Sequence, residues 1–415
     1  CVIAILATLQ RYYKRAMSNR IESFADLIAP IGEETFFADY HDKKHLHIRA
    51  NAANKLDDVM TWETLSALLN MTAIWSPHSL KLFLDTKPVA VDKYCRPAID
   101  RNGTQSMQPD ADKVKSWLRR GASIVANDID TLTPGLISAA GALENRLGGK
   151  VQSNLYCSWD QHQAFPTHFD THEVFALHVA GEKTWRLFEG RLENPIASDT
   201  FQNLDDDFHA ANRGEVAEEV TLKPGDILYI PRGQYHDALA SSEGCIHLSF
   251  GVTHVIGFDV MTLLFERAMT EPLFRQNIPP NEKDARAWIA EMTSRLSEFG
   301  TSDEIWSALQ SFREEFEYQR GGFDLPGDAL KDEPGDRFTV TASSLQVVSE
   351  GGRSLMKTAK GSVPIPEDVV DPVRWISEKQ NFSAAELDAA FPKMATQARQ
   401  KLVQDLVGMR VLTPQ

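Results

Sequence analysis

The chain has 415 residues, of which 42% are hydrophobic and 24% charged, the composition of a globular protein rather than a disordered or fibrous one. That length exceeds one compact core, so roughly two or three domains are expected. A formal charge of −15 argues against a direct nucleic-acid partner, because phosphate contact needs basic surface, and it is compatible with a basic protein partner. The four cysteines (Cys1, Cys95, Cys157, Cys245) show no paired spacing, which argues against a disulfide framework or a zinc site and for a reducing, cytoplasmic setting.

In chain order, an apolar run from Cys1 to Leu9 precedes Arg11, Lys14 and Arg15. The run is too short to cross a bilayer, and the charges lie on the wrong side for a signal peptide. Residues 1–16 therefore read as a doubtful extension, and no membrane contact is expected. Ser23 to Ile28 and Gly32 to Tyr40 read as short helices, and His45 to Arg49 as a strand. Histidines 41, 45 and 47 have no acidic or thiol residue spaced to complete a metal site with them, so they are read as structural. Thr61 to Leu69 is an amphipathic helix with Thr61 as its cap, and Asn102-Gly103 is a hairpin turn. Leu132 to Glu144 reads as a helix leading into a series of strands.

The chemistry lies in those strands. His168-Phe169-Asp170 alternates like a strand, which places His168 and Asp170 on one face. Glu173 to Ala180 is a strand, Gly181-Glu182 a turn, and Lys183 to Phe188 a further strand. Alternation puts Lys183, Trp185 and Leu187 on a common face, where a lysine is costly to bury unless an anion meets it. Thr221 to Gly233 reads as a turn, a short apolar strand and a Pro/Gly loop that delivers His236. Two imidazoles and one carboxylate are the ligand set of a non-haem Fe(II) oxygenase, and Lys183 is a cation suited to a carboxylate co-substrate. Any one of these elements is weak, since a single His-x-Asp is expected by chance; their combination carries the reading. Asn154 and Tyr156 alternate onto one face of an earlier strand, and Ser249 follows His247 by two on a later one.

Beyond Val255 the pattern becomes helical. Asp259 to Phe274, Asn281 to Phe299 and Ser302 to Tyr318 carry apolar residues at helical spacing, with Asn281 and Ser302 as caps. Their apolar content, including Met261, Leu263, Leu264, Phe265, Trp288, Ile289, Trp306 and Leu309, suggests burial against a symmetry mate, hence a homodimer. All 12 histidines precede this region. Phe323 to Asp336 reads as a linker rich in Gly, Pro and Asp. Strands at Phe338 to Val340 and Leu345 to Val348, a Gly351-Gly352 turn, and helices at Pro372 to Ser377, Ser383 to Ala390 and Thr396 to Gly408 follow, in a winged-helix-like order. From Arg337 onward ten Lys/Arg face eight Asp/Glu, which is no basic stripe, so a protein-contact or packing role is expected of this module.

Ser153-Asn-Leu-Tyr, Phe165-Pro-Thr-His-Phe-Asp, Leu177-His-Val-Ala-Gly-Glu-Lys-Thr-Trp-Arg-Leu-Phe, Pro231-Arg-Gly and His247-Leu-Ser resemble the JmjC-type oxygenases of the cupin-4 group, whose best understood members are the ribosomal oxygenases. The resemblance spans roughly residues 24 to 255. It implies a double-stranded β-helix barrel that binds Fe(II) through His168, Asp170 and His236, pairs Lys183 with the distal carboxylate of 2-oxoglutarate, and oxidises a protein side chain. The expected fold is thus α+β: a JmjC domain with an N-terminal cap over 17–257, a helical and dimerising segment over 258–322, and a winged-helix-like module over 337–415. Asn154 and Ser249 are expected to assist the co-substrate, and Tyr156 and His178 to contact the substrate. Two positions depart from the family: His178 stands where Gln is usual, and Thr171-His172-Glu173 where acidic residues commonly follow the metal aspartate. Both bear on the substrate rather than on the metal. The expected activity is hydroxylation of a protein, for instance a ribosomal one. The alternatives are an oxygenase acting on a small molecule or modified peptide, and a non-catalytic cupin; the intact ligand set with Lys183 argues against the last.

Overall fold

The protein is described by a computed structural model over residues 21–99, 103, 105–159, 165–240, 244–318, 320, 337–340, 345–350, 353–358, 361–379, 381–409 and 411–414. Residues 1–16, the linker 323–336, Asn102 of the expected turn and the Gly351-Gly352 turn lie outside the described residues. The chain divides into two compact units, one of residues 1–255 with 316–321, the other of 256–315 with 322–415.

The first unit is built on antiparallel strands. In chain order they are β1 (Leu46–Ile48), β2 (Leu80–Leu84), β3 (Lys87–Pro88), β4 (Cys95–Ile99), β5 (Gln105–Pro109), β6 (Ser123–Ala126), β7 (Lys150–Ser158), β8 (Glu173–Ala180), β9 (Lys183–Arg191), β10 (Val216–Leu222), β11 (Ile227–Ile230), β12 (Gln234–Ala240) and β13 (Cys245–Thr253). Eight form one sheet in the order β1-β11-β8-β13-β7-β6-β2-β3, three form another, β10-β9-β12, and β4 pairs with β5.

This corrects the expected double-stranded β-helix barrel. The fold is a mixed α+β fold with antiparallel sheets, and none of the described sheets closes on itself. Closure would need each sheet's edges to be paired. Here the large sheet ends at β1 and β3, and the smaller one at β10 and β12. β3 has only two residues, both exposed, and β10 carries Glu218 and Glu219 at exposed positions, as edges that avoid further pairing commonly do. Alternating burial is the same in an open pair of sheets and in a barrel, so the sequence pattern could not separate them.

Covering of both faces of the large sheet explains its composition. β8 is apolar at nearly every position because its alternate residues enter different cores. Phe175 and Leu177 join Phe24, Phe36, Leu65, Leu136, Leu143 and others from the helices Phe24–Ile28, Glu33–Asp39, Trp62–Asn70 and Pro134–Leu147. Val174 and Ala176 instead pack on Trp185, Leu187, Val220 and Leu222 of the smaller sheet. A fully buried side chain of this size contributes about 1.5–3 kcal/mol, so the packing of Phe175 against Phe24 and Phe36 (ring centroids at 6.1 and 6.0 Å) anchors the helical layer. The Thr61 cap follows the sequence. Thr61 Oγ1 accepts the Thr64 N–H at 3.1 Å, and Ser23 and Asp26 form a reciprocal capping box.

In the second unit, helices Gly257–Met269, Glu282–Gly300 and Asp303–Glu315 enclose Leu264, Ala268, Phe299 and Ile305. The first ends sooner than the spacing predicts, because Pro272 lacks the N–H to continue it and opens a 3₁₀ turn, Pro272–Arg275. The remaining residues form two three-stranded sheets. These are Asn381–Ser383, Arg337–Val340 and Leu412–Pro414 in one, and Gln346–Glu350, Arg353–Thr358 and Gly361–Pro364 in the other. With helices Glu367–Ser377, Ala384–Ala390 and Thr396–Gly408 they share a core of Phe338, Val373, Ile376, Phe382 and Leu406.

Candidate active site

The candidate site lies between the two sheets of the first unit. The odd residues Val151, Leu155 and Cys157 of β7 and the even residues Ile246, Leu248 and Phe250 of β13 enter the helix-covered core. Tyr156, His247 and Ser249 therefore point to the opposite face. There, with Phe165, His168, Val174, Lys183, Trp185, His236 and Ala238, they line a cavity.

His168 and His236 are brought together by main-chain bonds. The His168 N–H donates to the His236 carbonyl at 3.1 Å, and the His236 N–H to the His168 carbonyl at 2.8 Å. Residues directly opposite in such a pair carry their side chains on one face, and the two rings lie 4.6 Å apart. The segment that holds His168 and Asp170 is not the strand its alternation suggests. Pro166 offers no ladder donor, and His168 alone forms a bridge there. Asp170 is held instead by its carbonyl, which accepts the Gly233 N–H at 2.9 Å. Gly233 has φ +82°, and a Cβ there would fall 2.0 Å from the Leu192 carbonyl oxygen, so the loop before His236 requires glycine. Beside the two histidines, Arg186 donates to both Asp237 oxygens (2.8 and 2.7 Å), and Thr167 Oγ1 donates to Asp237 at 2.6 Å. This ties the neighbours of His168 and His236 to each other and to β9.

The donor set fits a metal ion. His168 Nδ1 lies 2.8 Å from the Pro166 carbonyl and His236 Nδ1 2.9 Å from the Gln234 carbonyl. A carbonyl can only accept, so Nδ1 carries the hydrogen in each ring and Nε2 keeps the lone pair a metal needs. Asp170 Oδ2 is 3.5 Å from His236 Nε2, and one ligand atom from each of the three residues lies within 4.8 Å of the others. Metal–ligand bonds of about 2.1 Å place adjacent octahedral ligands about 3 Å apart, so a small inward shift completes the set. The electrostatics agree. Burial opposes ionisation of Asp170, but the imidazoles of His172, His168 and His236 outweigh it and keep the carboxyl below its usual value. Burial, reinforced by His168, lowers His236 to about 4, so that ring is neutral at pH 7.

Lys183 is buried on the cavity wall. Burial lowers its pKa, and the groups that act the other way are the thiols of Cys245 and Cys157, not a carboxylate. His247, stacked on Tyr156 (4.7 Å, 8°) and edge-on to Trp185 (5.4 Å), is held neutral by burial. Its Nδ1 and the Trp185 Nε1 are both buried without a hydrogen-bond partner among the described residues.

Of the eight residues singled out in the sequence, His168, His236, Lys183, Tyr156 and Ser249 line this cavity, and Asp170 closes on His236. Asn154 and His178 are not on its wall. Asn154 Oδ1 accepts the Asp128 N–H at 3.1 Å, and its side chain hydrogen-bonds the Tyr156 hydroxyl. His178 bonds the Gly181 carbonyl at 3.0 Å, and burial lowers it to about 4. Phe165, Trp185 and His247 are wall residues that sequence reasoning does not assign to the site. The signal for His247 and Trp185 is present, since each is two residues from a residue assigned to it.

A family model for the JmjC domain matches residues 140–258, the stretch that contains every wall residue of this cavity. Residues 140–258 are thus similar to the JmjC domains of ribosomal oxygenases. It is 28% identical over 229 residues to a bifunctional lysine-specific demethylase and histidyl-hydroxylase NO66 of Dictyostelium discoideum, covering 54% of this chain and 42% of that protein. It is also 28% identical over 229 residues to ribosomal oxygenase 2 of Bos taurus, covering 54% of this chain and 45% of that protein. The chain therefore spans less than half the length of these two relatives. A solved structure of the Escherichia coli ribosomal oxygenase YcfD, in complex with cobalt and 2-oxoglutarate, superposes with a TM-score of 0.50 at 14% identity over 92% of this chain and 98% of that one, a likeness of fold. Among the described residues, no helix is long and apolar enough to cross a membrane.

Proposed function

We propose that this JmjC-domain protein is an Fe(II)- and 2-oxoglutarate-dependent oxygenase that hydroxylates a side chain of a protein, with a basic ribosomal protein as the favoured substrate class. The observation that carries the reading is a buried lysine, without a carboxylate among the groups that act on it, in the same cavity as His168 and His236, which with Asp170 make a two-histidine, one-carboxylate set. A cation in that position needs an anion, and a dicarboxylate that also reaches the metal meets both demands.

In this reading His168, Asp170 and His236 hold Fe(II) on one face. The chemistry supplied there is oxygen activation coupled to decarboxylation of 2-oxoglutarate, which gives succinate, CO2 and a hydroxylated C–H bond. Lys183 pairs the distal carboxylate, and Ser249 on the same wall hydrogen-bonds the co-substrate. Asn154 acts through Tyr156, orienting its hydroxyl, while Tyr156 contacts the substrate from the wall. His178 supports the Lys183 end through the β8–β9 turn rather than touching substrate. Phe165, Val174, Trp185 and Ala238 exclude water. The net charge of −15 favours a basic partner in the encounter. Succinate formation by purified protein with Fe(II) is expected to rise several-fold when basic ribosomal proteins are added, and not with free amino acids. Stimulation by a small metabolite alone supports the small-molecule alternative.

The same proposal includes a homodimer formed through the helical segment, in a reducing, cytoplasmic compartment that suits the buried, unpaired Cys95, Cys157 and Cys245. Phe258, Met261, Phe265 and Met269 are all exposed on helix Gly257–Met269, spaced three, four and four residues apart, so they form one apolar stripe. Leu264, by contrast, is already buried in the segment's own core, with Leu263 packed against it. Light scattering is expected to give twice the 46.4 kDa chain mass, and Phe265→Asp to shift it toward monomer. A strictly monomeric wild type removes the dimer from the reading.

A further inference from the structure

Three histidines close together in the sequence have separate fates. His45 Nε2 bonds Glu218 at 2.8 Å, and His47 Nε2 bonds Asp226 at 3.0 Å. His41 meets residues far away in sequence. It follows helix Glu33–Asp39 and faces Glu173, the first residue of β8, and His254, just past the end of β13. His41 Nε2 is 3.4 Å and His254 Nε2 3.3 Å from the same oxygen, Glu173 Oε1.

Neither contact has the character of a direct ion pair. Charge-assisted N–H···O bonds run to about 2.7–2.9 Å, the length His45 and Glu218 achieve in this protein. Both Nε2 atoms are buried and lack a hydrogen-bond partner, although they point at a carboxylate. The other oxygen of Glu173 is already engaged. Tyr229 donates to Oε2 at 3.1 Å, and the Tyr229 hydroxyl in turn accepts the Asp42 N–H at 2.8 Å. The carboxylate is thereby fixed by a neighbour's hydroxyl, as metal-binding carboxylates commonly are, with Oε1 turned to the two rings. Glu173 is buried, while the His41 and His254 side chains are 29% and 28% exposed, so an ion can enter from solvent.

We propose that His41, Glu173 and His254 form a second metal site that takes Zn(II). Zinc bonds of about 2.0–2.1 Å to nitrogen and oxygen, arranged tetrahedrally, separate neighbouring ligand atoms by about 3.3–3.4 Å. The two observed spacings, 3.4 and 3.3 Å, match that edge. Two imidazoles and one carboxylate leave a fourth position for water. The ion cross-links three segments, residues 41, 173 and 254, that no disulfide joins, and its role is to stabilise them. Glu173 is three residues from Asp170, so the site braces the start of β8 just after the candidate iron ligands.

The test is zinc content of the metal-stripped full chain after dialysis against dilute Zn(II), in four proteins. Wild type is expected to hold about two zinc ions per chain and Asp170→Ala about one; His254→Gln is expected to hold about one and the double variant almost none. If His254→Gln removes no zinc from the Asp170→Ala background, the site does not exist. Loss with His254→Gln but not with Asp170→Ala supports this site while counting against the iron-ligand reading, so the two fail separately. Circular dichroism checks folding. His41→Gln, in a partly exposed loop, is the second variant and carries the same expectations if His254→Gln disturbs the end of β13.

Discussion

Replacing Asp170 with alanine is expected to abolish Fe(II)-dependent turnover of 2-oxoglutarate while leaving the protein folded. Changes one shell away from a metal commonly cost 10–100-fold, so loss of a ligand itself should cost more than about 100-fold. The fold should survive because the elements that bring His168 and His236 together are main-chain hydrogen bonds, and Asp170 is held by its own carbonyl. Asp170 is the cleanest of the three positions for this test. Its side chain is 29% exposed, whereas His236 is almost fully buried, and truncating it would open a cavity as well as remove a ligand. The measurement is succinate formation with circular dichroism on the same preparation. Activity above about a tenth of wild type in a folded variant would sink the ligand assignment.

Lys183→Ala is expected to raise the KM for 2-oxoglutarate by roughly 10- to 150-fold, the equivalent of a charge-assisted bond of about 1.5–3 kcal/mol. Iron affinity should change far less, because the lysine acts on the co-substrate and not on the ligand set. The variant should also fold at least as well as wild type in the absence of ligands. A buried ammonium without a carboxylate beside it is a cost to the empty protein, so its removal relieves desolvation. Lys183→Met keeps the stem and should lose binding to a similar degree, which separates charge from packing. Arginine should restore it only in part, since a planar fork does not present its donors as an ammonium does. Titration calorimetry with 2-oxoglutarate decides it: unchanged affinity in the alanine variant would mean that another cation binds the carboxylate.

Local chemistry makes much of this protein legible in its sequence alone. Period-two alternation places Lys183, Trp185 and Leu187 on one face, and all three are buried on the side of β9 that meets the larger sheet. The caps at Thr61, Asn281 and Ser302 are set by neighbours three residues away, so short-range reasoning reaches them. The residue types of the His168, Asp170 and His236 set, and the unusual lysine, are likewise visible as composition and spacing.

What only the tertiary structure decided are the relations between segments far apart in the chain. Alternation says which residues share a face, but not which strand lies opposite, because pairing is decided by backbone hydrogen bonds that any sequence can make. For that reason the sheets are open where a barrel is expected, and the Phe165 to Asp170 segment bridges β12 at a single residue. The same limit hides His41, whose partners Glu173 and His254 lie well over a hundred residues further along and reach it only once β8 and β13 pair through Glu173 and Val252. A sequence states the chemistry each residue can offer; the long-range register of its strands determines which offers meet.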